Sequence, residues 1–105
     1  MTGPPPQTVC DIRRATRFSI DFETICEYHP HQEIRVRIAN ISANGMMLAA
    51  SIDREKGDRV IVHLPVAGRI EAHLAWSHQG RQGFTFERVI REPDFYAMLD
   101  KINGI

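Results

Sequence analysis

The run Arg13-Arg14-Ala15-Thr16-Arg17 places three guanidinium groups within five positions, in an R-x-x-x-R pattern. A guanidinium is planar, always charged and able to bond two acceptors at once or stack on a ring. With 11 arginines in 105 residues, a pair at that spacing is expected about once by chance, so alone it carries little weight. A second pattern is rarer. Asn40-Ile41-Ser42-Ala43-Asn44-Gly45 is an N-x-S-x-x-G, which at average residue usage arises about once in 100 chains of this size. Asn40 offers a donor and an acceptor, and Ser42 a hydroxyl. Gly45 permits a positive φ and close backbone approach. The same residues also suit a plain turn in which Asn40 and Ser42 bond their own backbone, and the arginines suit a solvated basic tail. Residue types and spacing alone leave both pairs of readings open.

Other chemistry is sparse. Ser77-His78 has no acidic residue placed by sequence to orient the imidazole, and no nucleophile elbow exists. Neither G-x-G-x-x-G nor a P-loop pattern occurs. An enzyme is not expected. His29-Pro30-His31 reads as a solvated turn, with no Cys cluster or H-x-x-x-H helix to make it a metal site. His63 and His73 fall out of phase with the apolar residues and are expected on the surface. Cys10 and Cys26 are expected as free thiols.

The elements that must position the two motifs are mostly strands. Residues 1–9 read as a Pro-rich disordered tail, and 10–105 as a single domain. Phe18, Ile20, Phe22, Thr24, Cys26 and Tyr28 alternate with polar positions, as do Ile34, Val36 and Ile38. The segment Asn40–Gly45 is turn-like. Met46–Ala50, then Val60, Val62 and Leu64, then Ile70, Ala72, Leu74 and Trp76 give three more strands, with Trp76 continuing the Leu74 face into the core. A loop at Ser77–Gln82 leads to a sixth strand over Gly83–Val89. Pro93 suits a first helical turn, and Phe95, Met98, Leu99 and Ile102 form one apolar stripe. The expected class is all-β: a six-stranded antiparallel barrel, about 18–89, with a C-terminal α-helix at about 93–103.

Hairpin geometry joins the motifs. To match the apolar faces, Tyr28 must oppose Gln32 or Ile34, which sets Ser42 opposite Phe18 or Ile20. Either register brings Arg17 alongside Asn40–Gly45, although 22 residues separate Arg17 from Asn40.

Composition narrows the function classes. Thirteen basic residues balance thirteen acidic ones, so no bulk positive charge draws in a polyanion. The basic set is 11 Arg and only 2 Lys, a bias that planar recognition or genome composition explains equally well. The longest apolar run, Met46–Ala50, is far short of the roughly 20 residues of a membrane helix. Residues 1–6 show no secretory pattern, so a cytoplasmic location is expected, without membrane insertion.

The motif pair resembles that of PilZ domains, bacterial receptors for cyclic di-GMP, whose pattern is R-x-x-x-R followed after about 20–30 residues by D/N-x-S-x-x-G. Val60-Ile61-Val62-His63-Leu64, Ala75-Trp76 and Gly83-Phe84-Thr85-Phe86 are similar to the family's late strands, so the resemblance covers about residues 12–90. Asn40 stands where Asp is commoner, which leaves one fewer negative charge near a dianionic ligand. The resemblance implies a ligand, cyclic di-GMP, and a set of residues to hold it: Arg13, Arg14, Arg17, Asn40, Ser42 and Gly45. Arg13 and Arg17 would read or stack on guanine, and Arg14 would meet a phosphate. Asn40 and Ser42 would meet a guanine edge or a phosphate. No cofactor and no catalytic residue is implied. The output would pass to an effector protein through a change of surface.

Two other classes compete. One is a PilZ-like adaptor that has lost the nucleotide. The other is a single-stranded nucleic acid binder, which needs exposed aromatics in a basic groove. Phe18, Phe22, Phe84 and Phe86 are instead in phase with the core, so no nucleic acid polymer is expected.

Overall fold

The computed structural model describes residues 16–28 and 32–104. The expected tail at 1–9, the turn at His29–His31, Cys10, Arg13 and Arg14 lie outside these. Six strands and one helix are arranged in chain order: β1 (Phe18–Tyr28), β2 (Gln32–Ile41), β3 (Gly45–Leu48), β4 (Arg59–Leu64), β5 (Gly68–His78), β6 (Arg81–Phe86) and α1 (Glu92–Ile102). All strand pairs are antiparallel and close into a barrel in the order β1-β2-β3-β6-β5-β4. Closure leaves no continuous open sheet edge, and β1 meets β4 at Cys26–Val62 and Glu27–Ile61.

The alternating apolar positions fill the barrel. Val36, Ile38, Ile41, Met46, Leu48, Val60, Val62, Ile70, Ala72, Leu74, Phe84 and Phe86 are buried. Cys26 joins them as a free thiol, and burial pushes its pKa up to about 12, which makes it unreactive. The core extends to α1, whose Phe95, Met98 and Leu99 are buried as the i, i+3, i+4 stripe requires. Pro93 sits in the first turn, where its missing N–H has no intrahelical partner to lose.

Several boundaries differ from expectation for local reasons. Asn40 and Ile41 belong to β2, so the turn shrinks to residues 42–44. The expected loop at 77–82 is a hairpin turn of two residues, with His78 paired to Arg81. Gln79 and Gly80 both take positive φ (51° and 75°), the combination that matches strand twist. Gln82, read as a loop residue, is buried: its amide accepts from the backbone N–H of Ile52 and donates to the Ile52 carbonyl, both at 2.9 Å. That clamp fixes the 49–58 loop to the barrel.

Candidate functional site

Three irregularities in the strands create one outward-facing row. β1 carries an extra residue between Ser19 and Phe22 relative to β2, β2 an extra residue at Ala39 relative to β3, and β5 an extra residue at Ala75 relative to β6. A bulge shifts the phase of side-chain alternation and re-aims the side chains beyond it. Ile38 is fully buried, and without the bulge Asn40, two residues on, would also face the core. With it, Asn40 points out and Ile41 points in. The same shift separates buried Leu74 from Trp76, which is 42% exposed. The expectation that Trp76 belongs to the core is therefore corrected.

The pairing sets these side chains in line across the barrel wall. Ser19 opposes Asn40, Asn40 opposes Met47, Met47 opposes Gly83, and Gly83 opposes Trp76. Arg17 reaches the row from its β1 end and donates from Nη1 to Asn40 Oδ1 at 2.9 Å. Asn40 Nδ2 donates in turn to Met47 Sδ at 3.5 Å. At the other end, a Cβ built on Gly83 would fall 2.0 Å from Trp76 Nε1 and 2.3 Å from Cε2. The indole thus lies against Gly83, and much of the side chain is left to solvent. Gly83 is small because Trp76 needs the space. A glycine within an alternating strand was the available signal for an outward Trp76; nothing in the sequence pointed to Met47.

Ser42 and Gly45 build the turn behind this row. Ser42 is 2% exposed. Its backbone N–H donates to the Gly45 carbonyl at 2.8 Å, and its Oγ accepts from the backbone N–H of Asn44 at 3.2 Å. In this form its hydroxyl is engaged within the turn. Gly45 does not take positive φ, contrary to expectation. Its close approach is to β6: a Cβ there would fall 2.3 Å from the Phe84 carbonyl oxygen. Of the six residues expected to form the site, the described structure brings Arg17 and Asn40 into contact and sets Ser42 and Gly45 in the adjoining turn.

Arg17 differs in its partner from four arginines of the barrel wall. Arg35 pairs with Glu23, Arg37 with Asp21 and Glu23, Arg59 with Glu71 and Glu87, and Arg69 with Glu27. The hydrogen bond and charge of Asp21 raise the pKa of Arg37 further. Arg17 has no such carboxylate among the described residues; its partner is a neutral amide. His63 and His73 are half-exposed, and each meets a glutamate, Glu27 and Glu87 respectively.

Arg17 and Asn40 thus share one bulged barrel face with the indole of Trp76. The PilZ domain family profile matches residues 11–101. This chain belongs to the PilZ family. Among solved structures, the PilZ domain of CeSA from a cellulose-synthesizing bacterium superposes with a TM-score of 0.60 at 11% identity, covering 86% of this chain and 97% of that one. At that identity the likeness concerns the fold: a six-stranded antiparallel barrel with one C-terminal helix. No curated protein matches the chain. PilZ domains are binding and adaptor domains, and the family binds cyclic di-GMP. No helix among the described residues of this PilZ domain is long and apolar enough to cross a membrane.

Proposed function

We propose that this PilZ domain is a receptor for cyclic di-GMP that signals to a partner protein by changing its surface, without catalysing a reaction. The observation that carries the reading is the Arg17–Asn40 bond at one end of a row that ends in the exposed indole of Trp76. Cyclic di-GMP presents two phosphates, two guanine edges and flat purine faces. Arg17 suits the O6 and N7 edge of guanine, or its face, and Asn40 supplies both a donor and an acceptor beside it. Trp76 supports stacking, which any purine face accepts. Arg13 and Arg14 precede Arg17 and would close over the bound dinucleotide, with Arg14 toward a phosphate. Ser42 and Gly45 contribute by holding the turn that presents Asn40. A cytoplasmic location fits this reading, since the ligand is an intracellular messenger.

The engagement of the Ser42 hydroxyl within its own turn favours a second reading, an adaptor that keeps the fold without the nucleotide. Titration calorimetry separates the two. Saturable binding of cyclic di-GMP with none of GTP supports the receptor. No heat with either nucleotide, in a chain shown to be folded by circular dichroism, would leave the adaptor. Trp76 is the single tryptophan, so its fluorescence reports on the row in the same titration.

A further inference from the structure

Met47 occupies the centre of the row, between Asn40 and Gly83, and its sulfur accepts the Asn40 amide. It differs from its neighbours in access. Met46 and Met98 are fully buried at 0%, while Met47 is half-buried on the outer face of β3. A thioether is a weak acceptor, so the Asn40 Nδ2 is held loosely and can turn to a ligand. A sulfoxide oxygen at the same place is polar and accepts strongly.

We infer that Met47 is a peroxide-sensitive modification site, and that its sulfoxide holds the Asn40 amide and lowers affinity for the nucleotide. The inference rests on the receptor reading. In the step, the sulfur lone pair attacks one oxygen of hydrogen peroxide. The O–O bond breaks as the S–O bond forms, and the proton on the transferred oxygen goes to the departing hydroxide. Sulfur loses two electrons, and the second peroxide oxygen leaves as water. No thiol competes from within the barrel, because Cys26 is buried and its pKa is raised.

The full chain would be treated with graded hydrogen peroxide. Peptide fragmentation would rank oxidation at Met46, Met47 and Met98, and cyclic di-GMP affinity would be measured on the same samples. Met47 should oxidise ahead of the two buried methionines, and affinity should fall about three- to tenfold in step with it. Methionine sulfoxide reductase should restore both. Met47→Leu keeps the volume without the sulfur, and whatever affinity it has before treatment should be unchanged by peroxide. Untreated chain that binds, with oxidised Met47 binding equally well, overturns the inference and leaves the receptor intact. So does equal peroxide sensitivity in Met47→Leu, or oxidation of Met46 before Met47. Untreated chain that does not bind at all overturns the receptor reading, and this consequence with it.

Discussion

Arg17 and Asn40 are 23 positions apart in the chain, yet Arg17 Nη1 lies 2.9 Å from Asn40 Oδ1. The contact depends on two bulges. One between Ser19 and Phe22 moves the pairing so that Ser19, next but one to Arg17, opposes Asn40. The other, at Ala39, turns Asn40 to the same outer face. An asparagine makes this bond without neutralising the arginine, so the guanidinium is oriented while its charge remains available.

Arg17→Lys should separate shape from charge. Lysine keeps the positive charge and loses the planar fork, and a good bidentate base contact is worth about 1–3 kcal/mol, or roughly five- to 150-fold in affinity. Arg13→Lys should behave alike, and Arg14→Lys, if Arg14 only meets phosphate, more mildly. Dissociation constants for cyclic di-GMP at two salt concentrations check this. Unchanged binding by Arg17→Lys, with a steep salt dependence, would show that only its charge matters.

Two glycines give contrasting expectations. Gly83→Ala collides with a side chain, the Trp76 ring, which is exposed and can swing away. The barrel should keep its stability while the indole leaves the wall, seen as a red-shifted emission, easier quenching and weaker nucleotide binding. Gly45→Ala collides with the backbone carbonyl of Phe84, which cannot move without breaking the β3–β6 pairing. Overpacking of that kind costs about 1–3 kcal/mol, and urea denaturation should show it. Equal stability of the two variants would contradict the assignment of these close approaches.

Much of this architecture is legible in the sequence because alternation and helical periodicity reflect burial directly. The six strands and the α1 stripe at Phe95, Met98 and Leu99 come from that rule, and the hairpin places Arg17 alongside residues 40–45, although the bulges set Phe18 opposite Ile41 and not Ser42. What escapes it is the bulge. One inserted residue reverses the face of everything after it, so Trp76 reads as a continuation of Leu74 when Ala75 has turned it outward. The same slip hides the row itself, since no side chain announces an extra residue at Ala39. Gly45 illustrates a different ambiguity: a glycine is required equally by positive φ and by a neighbouring backbone, and only the fold decides between them.

Acid should loosen the seam where the barrel closes. Glu27 on β1 meets His63 on β4, and it accepts from Arg69 Nε at 2.9 Å and Nη2 at 3.0 Å on β5. The bond to His63, then that to Arg69, lowers its carboxyl pKa below the ordinary glutamate value. A group depressed in the folded state stabilises above its unfolded pKa, and that contribution is lost as pH falls through the folded one. Glu27→Gln should therefore be less stable than the unaltered chain near neutrality, and the gap should close in acid. A gap of constant size across that range would mean that the carboxylate does not contribute as a charge.

Output should run through Phe18 to the helix. Phe18 is the residue after Arg17, opposes Ile41 beside Asn40, and its ring centroid lies 5.6 Å from Phe95 and 6.3 Å from Tyr96, the latter edge-on. Phe95 anchors α1 in the core, whereas Tyr96 is an exposed large apolar side chain on its outer side. If a ligand that draws Arg17 from Asn40 also shifts the start of β1, the ring of Phe18 would pass this to α1. A change of this kind alters what the surface can contact without altering the fold. Amide exchange with and without cyclic di-GMP should report it as altered protection across Glu92–Ile102. Phe18→Leu retains an apolar side chain and removes the ring edge. It should bind the nucleotide with affinity near that of the unaltered chain while the response in α1 is lost, and any partner captured only in the presence of ligand should be lost with it. A Phe18→Leu chain that binds and still changes protection in α1 would show that the signal leaves the site by another route.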